Sequence, residues 1–298
     1  MKAAPFEYLR ATSLDEAIEA LGTPDARALA GGQSLVPLLN LRQARPSLVV
    51  DINRLDELSF LRKENGRLEI GALTRHRAVE TSAVVRSEIP LLAEALGHVG
   101  HVAIRNRGTI GGSLAHADPA AELPAVMVAL DADFTVRGAS GERTVAARDF
   151  FLGPHRTALG RGELLTRISV PSHRGGWAVE ELSRRSRDLA LVAAFATVTM
   201  AGEVCESARI AVAGAGPAPI RATAAEESLT GGPMTDDAIA LAADLTAAAT
   251  DPPGDLHAPA DYRREMAAVL TRRALARAKS WSAHDHGHPE EKQAKEGT

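Results

Sequence analysis

Two glycine pairs, eighty positions apart, constrain this chain more than any other feature. The first, Gly31-Gly32-Gln33-Ser34, closes the short apolar run from Ala26 to Ala30 and opens a helical spacing of Leu35, Leu38, Leu39 and Leu41, with Ser34 placed to cap it. The second, Gly111-Gly112-Ser113, follows Arg107-Gly108-Thr109-Ile110. Glycine reaches positive φ and lets a ligand approach the backbone closely. Successive free N–H groups in such a turn form an anion cradle, and a helix N-terminus adds its dipole. One such turn suits one phosphate, so two that converge suit a diphosphate. Each pair alone is also an ordinary tight turn. Neither is a GxGxxG fingerprint or a P-loop with its lysine, so a Rossmann or NTPase site is not supported.

Around these turns, strands and helices mix without strict alternation, which predicts an α+β fold rather than a doubly wound sheet. Ser13, with Glu16 three residues on, predicts a helix to Leu21 that Gly22 stops. Ser47 to Ile52 reads as a strand, and Asn65-Gly66 as a hairpin turn. Thr74 to Val85 and Pro90 to Val99 read as helices. Phe134 to Arg137 and Arg143 to Ala146 form a second hairpin, and Glu163 to Val170 is a strand closed by Pro171. After His173-Arg174-Gly175-Gly176, three strands are expected at Trp177 to Leu182, Ala190 to Ala201 and Glu206 to Ala213. Helices follow at Ile220 to Leu229, Thr235 to Thr250 and Asp261 to Lys279. The expected division is a small N-terminal α/β lobe over 1–54, a second lobe over 55–174, a C-terminal domain over 175–281 and a loose polar tail over 282–298.

Composition removes several function classes. At roughly 150 residues per domain, 298 residues make two domains or three small ones. Lys plus Arg number 34 and Asp plus Glu 38, so the net charge is 34 − 38 = −4, with no field to draw DNA or an anionic membrane. Cys205 is the only cysteine, which excludes an intramolecular disulfide. An iron–sulfur cluster needs about four thiolates, so this chain holds none alone, and a Cys-rich zinc site is excluded too. Thiol chemistry therefore points to a reducing compartment. Glu7, Asp15 and Glu16 interrupt the N-terminal stretch, which does not read as a signal peptide. The longest apolar run, Leu189 to Ala201, falls short of the ~20 residues of a membrane span. A cytoplasmic protein is expected, reaching the inner face of a membrane only through partners. Aromatics are 3 % of the chain, so the core is built from Ala, Leu and Val.

Beyond the turns, LAHADPAAELP holds His116, Asp118 and Glu122. A carboxylate near a phosphate cradle can bind ribose hydroxyls. The same spacing also describes a helix entry, with Asp118 as cap, Pro119 in the first turn and Glu122 on the surface. Ser113, His116 and Asp118 lie too close in sequence for triad geometry, and no catalytic residue is assigned. His284, His286 and His288 in HDHGH read as a solvated tail, and no metal site is assigned. Arg184, Arg185 and Arg187 read equally as an anion contact or a solvated strand edge.

At the two glycine turns, AGGQSLVPLLNLR and IRNRGTIGGSLAHADPAAELPA together closely resemble the FAD-binding subunit of the molybdenum hydroxylases. These are the medium subunits of carbon monoxide dehydrogenase-type enzymes, similar also to the flavin domain of xanthine dehydrogenase. The likeness extends through ARDFFLGPHRTALGRGELLTRISVP and DYRREMAAVLTRRALARA, nearly the whole chain. It implies the vanillyl-alcohol-oxidase/PCMH-type FAD-binding fold of two lobes, followed by a C-terminal three-stranded antiparallel sheet and a helical bundle. It implies FAD as cofactor, with Ala30, Gly31, Gly32, Gln33, Ser34 and Leu35 opposite Thr109, Ile110, Gly111, Gly112 and Ser113 around the diphosphate. Glu122 stands where relatives place a carboxylate against the cofactor, and Leu165 where a residue lies at the isoalloxazine edge. Two positions depart from the pattern: Glu181 replaces a common lysine and Leu189 a common aromatic, both beside the ring in relatives.

The resemblance further implies an electron-transfer role. A large molybdopterin subunit oxidises substrate, a small subunit with two [2Fe–2S] clusters carries single electrons, and FAD passes them to a quinone, oxygen or NAD. The implied assembly is a heterotrimer that dimerises. The lone cysteine agrees with clusters on another chain. A self-contained flavin oxidoreductase and a non-catalytic assembly subunit are the alternatives. Intact glycine pairs speak against the second.

Overall fold

The computed structural model describes residues 2–283. The N-terminal strands Glu7–Arg10, Leu48–Asp51 and Arg27–Leu29 form a parallel sheet with Leu48–Asp51 in the middle. Parallel neighbours need crossovers, and the helices Leu14–Leu21 and Leu35–Asn40 lie in them. Ser13 caps the first helix as expected, its Oγ accepting from the Glu16 N–H at 3.2 Å. Glu16 reaches one residue further back than a capping box does and accepts from the Thr12 N–H at 2.7 Å. The lobe closes over its own apolar cluster, including Ala17, Leu21, Val50 and Ile52.

A five-stranded antiparallel sheet follows, in the order Leu61–Glu64, Arg67–Gly71, Leu164–Pro171, Asp133–Gly138, Gly141–Ala146. Asn65 and Gly66 turn the first hairpin at φ 49° and 75°, the signs a type I′ turn demands. The helix Glu122–Ala129 is buried along its whole length and fills the main core. Phe134, Phe150 and Phe151 meet edge to face there, with centroids 4.8–6.0 Å apart. Burying each contributes about 1.5–3 kcal/mol, so three rings compensate for the scarcity of aromatics elsewhere.

The C-terminal sheet is the meander Gly176–Ser183, Ala190–Ala201, Val204–Ala213, with a two-residue strand Ile220–Arg221 added at its edge. Its alternating side chains serve two cores. Val179, Ala193, Phe195, Ala211 and Ala213 join the main core, while Ala178, Val192, Ala194 and Ala196 pack with the helices Thr223–Leu229, Asp236–Ala248 and Ala260–Ala283.

Several local expectations are corrected. The helix read over Thr74 to Val85 is two, His76–Thr81 and Ala83–Glu88, because Ser82 is extended and caps the second through its Oγ. Ile220 belongs to the edge strand, not to the helix after it. Ser34 stands at the head of Leu35–Asn40 but makes no side-chain cap. The last helix runs to Ala283, into the segment read as a tail; His284, His286 and His288 and the rest of that tail lie outside the described residues.

Candidate cofactor site

The loop after Arg27–Leu29 turns on Gly32, at φ 74°. Gln33 folds back to donate to the Gly31 carbonyl at 3.1 Å. Among the described residues, the N–H groups of Gly31, Gly32, Gln33, Ser34 and Leu35 donate to no protein acceptor. Five consecutive unpaired amides lead into a helix, the arrangement that an anion cradle requires.

The second pair behaves differently. Gly111 and Gly112 are helical, in the first turn of Ile110–His116, and neither has positive φ. Their amides are already engaged: Ile110 N–H donates to Thr74 O at 3.0 Å, Gly111 to Ala72 O at 2.8 Å, Gly112 to Thr109 Oγ1 at 3.1 Å and Ser113 to Thr109 O at 3.1 Å. The expected pair of equivalent turns is therefore corrected to one open cradle and one closed helix start. Packing, not φ, requires glycine at 111, where a Cβ would stand 2.5 Å from that of Ala72.

The two segments do converge. A Cβ on Gly31 would lie 2.2 Å from the Arg107 carbonyl oxygen, and one on Gly112 would lie 3.7 Å from the Ala30 Cβ. Asn53 ties the first loop by donating to Ala30 O at 2.8 Å, and Arg75 NH2 donates to Asn53 Oδ1 at 2.9 Å. His76 fixes the second, its Nε2 2.9 Å from Thr109 O. Burial holds the His76 ring at a pKa of about 4, so it is neutral and donates through Nε2–H.

Glu122 is 4 % exposed, not on the surface, and it begins a helix rather than continuing one from Pro119. Asp118 instead caps the turn before it, accepting from the Ala120 N–H at 2.9 Å. Burial, reinforced by the charge of Glu181, pushes the Glu122 carboxyl up to about 7. Glu181 reaches inward from the meander with a side chain 3 % exposed, and its Oε2 has no hydrogen-bond partner among the described residues. His98 Nδ1 stands 3.7 Å from that oxygen, an ion-pair distance beyond hydrogen bonding, and Glu181 raises the His98 pKa. Periodicity could not find His98, because nothing local marks it. Leu165 is 3 % exposed with its side chain in the main core, which leaves its main chain for any contact. The strand bulges beside it, between Leu165 and Arg167. Leu189 is 54 % exposed, and Arg184, Arg185 and Arg187 are exposed beside it.

The family described as FAD binding domain in molybdopterin dehydrogenase matches residues 4–173. The chain belongs to that family. Its C-terminal part, residues 177–278, matches the CO dehydrogenase flavoprotein C-terminal domain. Among relatives of this FAD-binding family, the 6-hydroxypseudooxynicotine dehydrogenase complex subunit alpha of Paenarthrobacter nicotinovorans is 43 % identical over 93 % of this chain and 96 % of its own. The carbon monoxide dehydrogenase medium chain of Hydrogenophaga pseudoflava is 39 % identical over 91 % of this chain and 96 % of its own. A solved carbon monoxide dehydrogenase from the same organism superposes with a TM-score of 0.93 at 40 % identity, covering 95 % of this chain and all of that one. Quinoline 2-oxidoreductase from Pseudomonas putida 86 gives 0.90 at 39 %, covering 94 % and 99 %. The chain is thus an FAD-binding oxidoreductase subunit of the carbon monoxide and xanthine dehydrogenase type.

Proposed function

We propose that this chain is the electron-transfer subunit of a molybdopterin-dependent hydroxylase or dehydrogenase complex, working between a small [2Fe–2S] subunit, a large molybdopterin subunit and an external acceptor. The run of unpaired amides at Gly31 to Leu35, held against the Thr109 to Ser113 helix start, is the observation that carries the reading. Those amides receive the FAD diphosphate. Thr109 and Gly111 hold the opposing helix close enough to complete the site, with the half-buried Ser113 hydroxyl as the polar group on that side. Bound FAD would supply the redox chemistry; position and electrostatics belong to the protein.

Glu122 lies near its protonation midpoint at neutral pH, so its carboxyl can donate or accept a hydrogen bond toward the cofactor. Leu165 contributes backbone. No general acid or base for substrate is assigned, because the substrate pocket lies on another chain. We read 1–54 and 55–174 as the two lobes of the FAD-binding part and 175–281 as the C-terminal domain. No helix among the described residues is long and apolar enough to cross a membrane, and a cytoplasmic assembly is the reading adopted.

Purified chain should carry one non-covalent FAD. Carbon monoxide, purines, N-heterocycles or aldehydes should bleach it only after the iron–sulfur and molybdopterin subunits are added. Rapid bleaching by substrate in the chain alone would instead make it a self-contained oxidoreductase.

A further inference from the structure

Three side chains meet at the far end of the helix Ile110–His116. His116 closes that helix, Ala117 turns left-handed at φ 48°, and Asp118 comes back beside the imidazole. His155 arrives between the short strands Phe151–Gly153 and Arg156–Thr157. One ligand atom from each of the three lies within 4.8 Å of the other two, and the imidazole rings stand 4.6 Å apart.

Two of the three have one polar atom tied to backbone and one left over. His155 Nδ1 stands 3.1 Å from the His116 carbonyl oxygen. A carbonyl only accepts, so Nδ1 carries the proton and Nε2 keeps its lone pair. A backbone carbonyl behind the second ring nitrogen is how metal-ligating histidines are oriented. Asp118 Oδ1 accepts from the Ala120 N–H, which leaves Oδ2 free. The His155 N–H donates to Ala117 O at 3.0 Å, which fixes the two segments against each other.

We propose that His116, Asp118 and His155 form a binding site for a first-row divalent cation of the Zn²⁺ type. Two imidazoles and a single carboxylate suit such an ion better than Ca²⁺ or Mg²⁺, which take mostly oxygen. His155 is exposed, so water completes the coordination shell. The ion fastens the loop ahead of Glu122–Ala129 to the hairpin that carries His155. Seven residues at 1.5 Å rise make the helix about 10 Å long, so the ion sits at the opposite end of that helix from its glycine start. The proposal stands independently of the flavin reading.

The test uses the full FAD-loaded chain, stripped with EDTA, in a background of His284→Ala, His286→Ala and His288→Ala that removes competing tail histidines. Zn²⁺ is titrated by calorimetry, and Co²⁺ is followed by its visible d–d bands. One Zn²⁺ per chain is expected, with a rise in Tm on saturation. His155→Ala and Asp118→Asn should each weaken binding at least about tenfold. Asn at 118 keeps the bond to Ala120, so it tests ligation and not loop folding. Absence of saturable binding, or equal binding in both variants, overturns the proposal.

Discussion

Arg75 donates to the side-chain oxygen of Asn53 at 2.9 Å, and Asn53 is the residue that ties the Ala30 carbonyl of the open loop. Arg75 also donates to the Arg107 carbonyl, so one guanidinium spans both segments. Removing it leaves the Asn53 oxygen unpaired, a loss of about 1–3 kcal/mol. Arg75→Ala should lower unfolding free energy by that amount in urea titration and weaken FAD retention on a desalting column. Unchanged stability and unchanged flavin content would show the span to be inconsequential.

The glycines give a sharper prediction. Gly111→Val should abolish FAD binding, because its Cβ would collide with Ala72 at 2.5 Å and push the helix start out of place. Gly232→Ala, where the nearest atom is 4.0 Å away, should bind FAD normally. Flavin absorbance per folded chain, with circular dichroism as the folding control, separates the two. Full flavin in Gly111→Val refutes the assignment.

Two buried groups pull stability in opposite directions with pH: His76, held neutral down to about 4, makes it rise towards 6.5, and Glu122 makes it fall. Glu122 titrates at about 7 in the fold against an ordinary 4.5, so between those values the native state holds a proton that the unfolded chain has released. That stability is present below 4.5 and lost as pH rises through 7, roughly 3 kcal/mol in all. His98, raised by Glu181, adds a loss of the same sign above 6.5. Denaturation of the apo chain at several pH values checks this. Glu122→Gln should remove the Glu122 loss, so that its stability gains on wild type as pH rises from 4.5 to 7, and leave the His98 part. A stability difference between wild type and Glu122→Gln that stays constant from pH 4.5 to 7 contradicts a protonated Glu122.

Leu189 is exposed, and the family resemblance leads one to expect an aromatic beside the flavin ring at this position. A ring would add about 0.5–1.5 kcal/mol of aromatic contact beyond area. Leu189→Tyr should slow reoxidation of reduced flavin by oxygen and quench its fluorescence. If neither changes while FAD stays bound, the side chain does not face the ring.

What the sequence disclosed and what it withheld follow one physical line. Ser13 with Glu16 and Asn65 with Gly66 specify their own geometry within a few residues, and both turns form where the residues place them. The open cradle at Gly31 was equally legible. Gly111 was misread because glycine serves close packing as readily as positive φ, and Ala72 is thirty-nine positions away. The spacing around Glu122 allows both a surface position and a cofactor contact, because its burial depends on distant meander strands packing against its helix. His155 escaped notice because only the β-hairpin carries it to His116.

The two-faced meander also decides how such chains can be cut and rejoined. Alternate residues of Ala190–Ala201 are shared between the main core and the helical layer, so the boundary near residue 175 is a seam in sequence and not in substance. Trp177 donates to Glu94 across it, and Arg277 pairs with the same carboxylate. A hybrid that grafts another relative's C-terminal half here must therefore inherit that half's matching residues in the main core as well. A swap confined to one side of the seam strands apolar surface on both parents.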